Sequence, residues 1–197
     1  SNEHAVDGWS PASNEAVMIS GADYNTVRRS TAATADGNSA YDIEINGADF
    51  NRLDDVNMTV GGLRINAGNS NVISRSTMTS DIDFETDLIE GDGNAFYDSY
   101  IAGSTGIAFT GLNNAIIGGV VVGTGAARPA VWLKTGTVGL TIATATIVSR
   151  PGGYGMKLDV GVDGDLDIGS VTVRGASYGL VIATGAAGFT LPIDSIT

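Results

Sequence analysis

The stretch Asp81-Ile-Asp-Phe-Glu-Thr-Asp, running on to Glu90 and Asp92, holds the densest set of reactive side chains in this chain. Alternate residues of a strand point the same way. Asp81, Asp83, Glu85 and Asp87 would therefore converge on one side. Glycosidic cleavage uses two carboxylates at a controlled separation, one as acid and one as nucleophile or base. Asp83, Glu85 and Asp87 are the catalytic candidates on this ground. Two observations stand against them. No Lys or Arg occurs between residues 76 and 127, so a local base is missing. The acids also occupy a single turn of a longer repeat, as a solvated acidic edge would. Asp163-Gly-Asp165-Leu-Asp167 is spaced like the start of a calcium loop but lacks the downstream Glu, and it reads as a turn. The one histidine, His4, lies in a polar tail and reads as a bystander.

A second set is aromatic. Trp132, Tyr97 and Tyr100 would point outward on the register derived below, with Lys134 beside Trp132. Such side chains pair an apolar body with a polar tip. They would stack on sugar rings, or they would meet further copies of the chain; exposed apolar patches of this kind mark interfaces.

The elements that position these residues emerge from the repeat. Asn25, Asn51, Asn71 and Asn94 each stand two residues before a large apolar residue, at spacings of 26, 20 and 23. Periods of this length mark solenoids. Asn tolerates the left-handed backbone of a tight corner, and stacked Asn amides can pair up a ladder. An anchor column runs Ile19, Ile45, Ile65, Ile89, Phe109, Leu133, Leu158, Ile182. Two residues before it stand Val17, Ile43, Leu63, Asp87, Ile107, Val131, Met156 and Leu180, the period-2 alternation of a strand on a core. A third column reads Val27, Leu53, Ile73, Phe96, Ile117, Ile142, Ile168, Leu191. A fourth reads Ala32, Met58, Met78, Ile101, Val122, Ile147, Val173, Ile196. Three short strands per coil over about eight coils predict an all-β, single-stranded, right-handed parallel β-helix over 15–197. Residues 1–14, with Trp9 and Pro11, are expected to cap its open edge. The chain stops inside the last coil at Ile196-Thr197, which suggests a fragment of a longer polypeptide.

On this register the Asn column gives way to Ala115, Leu140, Leu166 and Phe189, so the cross-section is expected to change near residue 110. Charges alternate along a corner (Arg29, Asp55, Arg75, Asp98), and Arg28 faces Asp54. Glu44 falls beside Arg64, and Lys134 beside Asp159. Such ladders fix register at about 0–1 kcal/mol per pair; they would also furnish a polar groove for sugars. Outward apolar positions include Leu88, Ala108, Trp132 and Val181 in one column and Val72, Ala95, Ile116 and Val121 elsewhere. A Thr column (Thr31, Thr77, Thr146, Thr172) raises ice binding, but Asn57, Tyr100 and Val121 interrupt it.

Composition limits the function classes. The 197 residues include 28 glycines, no cysteine, and 43% hydrophobic residues, enough for one folded domain with many turns. Disulfides are excluded. The net charge of −12, from 22 acidic and 10 basic groups, repels nucleic acid and anionic membranes. No 18-residue apolar run is present for membrane insertion.

The repeats ISGADYNTVRRST, INGADFNRLDDVNMT and INAGNSNVISRSTMT resemble those of right-handed parallel β-helices of the pectin-lyase-like superfamily, which includes phage tailspikes and polysaccharide lyases, hydrolases and epimerases. The resemblance implies a polysaccharide partner, an extracellular or virion-surface location and, for tailspike members, a homotrimer. For lyase members it implies carboxylate-bound calcium with a basic residue as general base; oxygen ligands such as those of the acidic stretch would suit that ion. The resulting expectation is a trimeric fibre or tailspike module that contacts host polysaccharide through Trp132, Tyr97, Tyr100 and Lys134. The alternative is an enzyme acting on an acidic glycan.

Overall fold

The computed structural model describes residues 16–34, 41–80, 88–159, 161–162 and 166–183. Every regular element among them is a strand, and the strands pair in parallel. The first face stacks β1 (Val17–Ser20), β3 (Ile43–Asn46), β5 (Leu63–Asn66), β8 (Leu88–Glu90), β11 (Ile107–Phe109), β14 (Pro129–Leu133), β17 (Tyr154–Leu158) and β20 (Tyr178–Ile182). The second face stacks β6 (Val72–Ser74), β9 (Ala95–Tyr97), β12 (Ala115–Ile117), β15 (Thr141–Ala143) and β18 (Asp167–Gly169). The third stacks β7 (Thr77–Thr79), β10 (Tyr100–Gly103), β13 (Val120–Gly123), β16 (Thr146–Ser149) and β19 (Thr172–Arg174). The longer strands β2 (Thr26–Ala32) and β4 (Arg52–Met58) begin both of these faces, and β4 joins them into one sheet. This is a parallel β-solenoid. About six of its turns have a strand neighbour on both sides of the first face, fewer than the eight coils expected.

The anchor column is observed as predicted. Ile19, Ile45, Ile65, Ile89, Phe109, Leu133, Leu158 and Ile182 are paired in succession. Six of the eight, Ile45 through Leu158, are fully buried. Each rung removes a whole aliphatic or aromatic side chain from water, worth about 1.5–3 kcal/mol. Phe96 meets Phe109 edge-on across the interior, ring centres 6.2 Å apart.

The third and fourth columns slip by one residue in the fifth coil. Ile116, not Ile117, stacks on Phe96, and Val121, not Val122, stacks on Ile101. Ile116 and Val121 are buried, at 2% and 0% exposure, so neither lies outward as expected. The cause is local: Ala115-Ile-Ile117 and Val120-Val-Val122 are uniformly apolar, and alternation does not reveal which residues face in. The interruption of the Thr column in this coil is accordingly Val120, paired between Tyr100 and Thr146.

The same slip hid a fifth member of the Asn ladder. Asn114 precedes Ala115, and its Oδ1 accepts from the Asn94 amide N–H at 2.9 Å. The cross-section therefore changes after Asn114, where Leu140 and Leu166 take over, one coil later than expected. The ladder bonds are mixed. Asn71 Oδ1 accepts the Asn51 backbone N–H at 2.8 Å, and Asn71 Nδ2 donates to Ala48 O at 3.1 Å and Asn94 Oδ1 at 3.0 Å. Asn94 and Asn114 donate to Gly68 O and Gly91 O, at 2.9 and 2.8 Å. Each side chain thus satisfies backbone groups that the corner leaves without strand partners.

Two further brackets complete the frame. Asp42 is fully buried and accepts N–H bonds from Thr34 (2.8 Å), Val60 (2.9 Å) and Gly62 (3.3 Å). At the Asn corner, a Cβ added to Gly91 would lie 1.9 Å from Gly68 O, and one added to Gly111 would lie 2.3 Å from Gly91 O. The backbone stacks there without room for a methyl group.

Candidate functional site

The outward side of the first face carries the groups suited to binding. Pairing places Glu44, Arg64, Leu88, Ala108, Trp132 and Lys157 in one outward column. Glu90 and Lys134 lie one outward position further along their strands, beside that column. At about 4.8 Å per rung, the five steps from Glu44 to Lys157 span about 24 Å. Ala108 is fully covered where it lies between Leu88 and Trp132, so the apolar column is interrupted as an exposed surface.

Trp132 and Lys134 come together as predicted, and two further residues join them. The Trp132 indole N–H donates to Asp159 Oδ2 at 2.8 Å, and Lys157 Nζ lies 2.8 Å from Asp159 Oδ1. Lys157 Nζ is 4.6 Å and Lys134 Nζ 5.3 Å from the centre of the Trp132 ring system, within cation–π range. Lys134 falls beside Asp159 as expected, the register continuing from Leu133 on Leu158, and Lys157, two residues before Asp159, pairs with the same carboxylate. Lys157 was already placed in the outward column, but its partner depends on how the two stems lie across the indole. The result is a half-buried indole with two ammonium groups over its ring system and one carboxylate at its N–H.

At the other end of this face, two carboxylates and a base converge. Arg64 Nη1 is 3.9 Å from Glu44 Oε1, and Arg64 Nη2 is 3.3 Å from Glu90 Oε2. The guanidinium also lies over the Tyr41 ring, 5.7 Å from its centre. The base that is absent from residues 76–127 comes from the preceding coil. It is missed by reading along the chain because its distance is measured in rungs, not in sequence. Glu44 is nearly buried at 6% exposure, whereas Arg64 and Glu90 keep about a third of their side-chain surface.

The other predicted residues lie elsewhere. Tyr97 and Tyr100 are exposed, at 41% and 42%, but they flank the corner between the second and third faces. The structure does not bring them to Trp132. Asp83, Glu85 and Asp87 lie outside the described residues. Among the described residues, no group of three or more His, Cys, Asp or Glu side chains is arranged to hold a metal ion.

The charged corner is a stabilising device with one centre. Arg29, Asp55, Arg75 and Asp98 occupy successive corner positions with φ between 46° and 57°. Beside them, Asp54 points outward but is 3% exposed, covered by guanidinium groups. Arg28 Nε lies 3.7 Å and Arg52 Nη2 3.9 Å from Asp54 Oδ2, while Arg75 Nη2 bonds Oδ1 directly. Ser74 Oγ donates to the same oxygen at 2.7 Å. The Ser74 hydroxyl, and after it the three arginines, hold the Asp54 carboxyl below its ordinary value against the opposing effect of burial.

No family model matches this chain, and no curated protein matches it. One solved structure is similar, that of trypsin-treated QnrB1, a plasmid-mediated fluoroquinolone resistance protein, at 10% identity over 88% of this chain and 93% of that one. The TM-score of 0.25 is too low for that likeness to carry any inference about fold or function.

Proposed function

We propose that this chain is a β-solenoid module of a virion or cell-surface fibre, resembling those of phage tailspikes, that assembles as a homotrimer and contacts polysaccharide. The observation that supports the contact is the Trp132 cluster. The half-buried indole, with Lys134 and Lys157 over it and Asp159 at its N–H, sets apolar ring surface beside charged groups for the hydroxyl or carboxylate substituents of a sugar. It sits on a stacked sheet whose outward column spans about 24 Å, with Arg64 and Glu44 at the far end beyond Ala108 and Leu88. A screen of the 197-residue chain on a glycan array tests this. Binding that falls at least tenfold in Trp132→Ala and in Lys134→Ala is expected. An array with no bound glycan, or binding indifferent to both substitutions, refutes the contact.

A second reading has its own observation. Glu44, Arg64 and Glu90 form a carboxylate–guanidinium–carboxylate row on the same face, the set that cleavage of an acidic glycan would use. Against it, one guanidinium engages both carboxylates, and Glu44 is nearly buried. Incubation with acidic polysaccharides and measurement of new reducing ends decides between them. Chain-length reduction abolished by Glu90→Gln would replace the fibre reading with an enzyme.

A further inference from the structure

The arginines of this chain divide into two sets. Arg28, Arg52 and Arg75 gather on Asp54, and Arg64 lies between Glu44 and Glu90. Among the described residues, Arg128, Arg150 and Arg174 pair with no carboxylate. These three share one corner, where the third face turns into the first. Arg128 ends the connection from β13 to β14, Arg150 opens the connection from β16 to β17, and Arg174 closes β19 before the connection to β20. Backbone bonds tie the three connections together. Tyr154 N–H donates to Arg128 O at 3.0 Å. Gly153 N–H donates to Arg150 O at 2.8 Å, closing a turn with Pro151 second and Gly152 third at φ 93°, the residues and φ of a type II turn. Gly152 N–H donates to Ser177 Oγ at 2.9 Å, and Ser177 N–H to Gly153 O at 3.0 Å. The three arginines therefore lie within two rungs, about 10 Å of height. Arg150 and Arg174 are exposed and Arg128 is half-buried. Tyr154, half-buried, and Tyr178, 62% exposed, stand beside them with ring centres 5.9 Å apart.

We propose that Arg128, Arg150 and Arg174, with Tyr154 and Tyr178 beside them, form a site for the sulfate or phosphate ester groups of a glycan. Like charges held this close repel one another, and an anion among them removes that cost. The net charge of −12 does not extend to this corner. No Asp or Glu occurs from residue 99 to residue 158, and 17 of the 22 acidic groups precede that stretch. The acidic stretch 81–87 joins β7 to β8, but β7 lies three rungs from β16 and four from β19. Those distances, about 14 and 19 Å, exceed the screening length of about 8 Å at physiological salt. The number of donors selects the anion. One guanidinium fork satisfies the two oxygens of a carboxylate, whereas a sulfate or phosphate ester offers three and draws donors from more than one arginine. The site's extent selects the polymer. A nucleic-acid surface covers about 1,000 Å² or more, far beyond three arginines within about 10 Å. A slender sugar chain fits, because Pro129 and Tyr154 lie three residues, about 10 Å, from Trp132 and Lys157 along β14 and β17. One extended chain on the first face reaches both sites.

This inference rests on the glycan contact proposed above and adds the class of glycan. The experiment is isothermal titration of the 197-residue chain with five probes: a heparin octasaccharide for sulfate esters, a phosphorylated mannan oligosaccharide for phosphate esters, fully desulfated heparin octasaccharide for carboxylates alone, inorganic sulfate, and a DNA octamer. At least one ester-bearing glycan is expected to bind at least tenfold tighter than the last three, and which one does so identifies the ester. The double variant Arg150→Gln/Arg174→Gln is expected to lose at least tenfold of that affinity with unchanged circular dichroism. Failure of both ester-bearing glycans to bind, equal binding of the desulfated chain or of DNA, or an unaltered double variant overturns the inference. A glycan array on which binding depends on Trp132, but on which the double variant matches the wild type throughout, overturns this site and leaves the Trp132 contact standing. An array with no bound glycan overturns both. A measurement on the wild type decides if the double variant misfolds. Modification by phenylglyoxal should be slowed by the bound octasaccharide at Arg128, Arg150 and Arg174 and not at the exposed Arg29; equal protection of all four overturns the inference.

Discussion

Replacing Asn71 by Ala tests the corner directly. The Asn71 side chain makes three bonds, and the substitution strands two buried backbone groups. The Asn51 N–H loses its acceptor at 2.8 Å, and Ala48 O loses its donor at 3.1 Å. Asn51 and Ala48 are 1% and 0% exposed, so water does not replace what is lost. Asn94 Oδ1 keeps a donor, the Asn71 backbone N–H at 3.0 Å, so the third bond adds little. At about 1–3 kcal/mol for each orphaned group, the expected loss is about 2–6 kcal/mol. Asn25→Ala is the control. Its amide donates to Ala22 O and Asp23 O in exposed settings and to Asn51 Oδ1 in a part-buried one, and among the described residues no coil precedes it. That substitution should cost about 0.5–1 kcal/mol. Urea titrations followed by circular dichroism measure both, with the midpoint and slope compared at one temperature. Equal losses for the two variants, or an Asn71→Ala midpoint at the wild-type value, would refute the view that these amides act by satisfying buried backbone rather than by stacking alone.

Asp54 sets an acid-side prediction. Its carboxyl is held low in the folded chain, so the stabilisation is present above the unfolded carboxyl value and is lost as pH falls through the folded one. Asp54→Asn should narrow the gap between urea midpoints at pH 7 and pH 3; an unchanged gap contradicts this. Gly91→Ala forces a methyl group onto Gly68 O, and overpacking of this kind should cost about 1–3 kcal/mol or more, read as a lower thermal midpoint. Val121→Ala should cost about 1–3 kcal/mol and Val122→Ala less than about 0.5 kcal/mol, because only the first is buried. The reverse order would restore the register first expected for the fifth coil.

Where polar and apolar residues alternate, the linear chain already specifies the solenoid. Asn, Gly and a large apolar residue recur every 20 to 26 positions, and all eight anchor residues take their predicted rungs, because side-chain alternation and corner chemistry are local properties. That rule fails at Ala115-Ile-Ile117 and Val120-Val-Val122, where every residue is apolar. Only the stacking of Phe96 on one side and Ile142 on the other determines which of them turns inward. The site divides in the same way. Trp132 beside Lys134 was legible, being two residues apart on one strand. Arg28 opposite Asp54 was legible from the alternating charges, but the meeting of Arg64 with Glu90, and of Arg75 with Asp54, was decided by the pitch of the coil, which brings residues 20 or more positions apart within reach of one another, and by which long side chain bends toward which carboxylate.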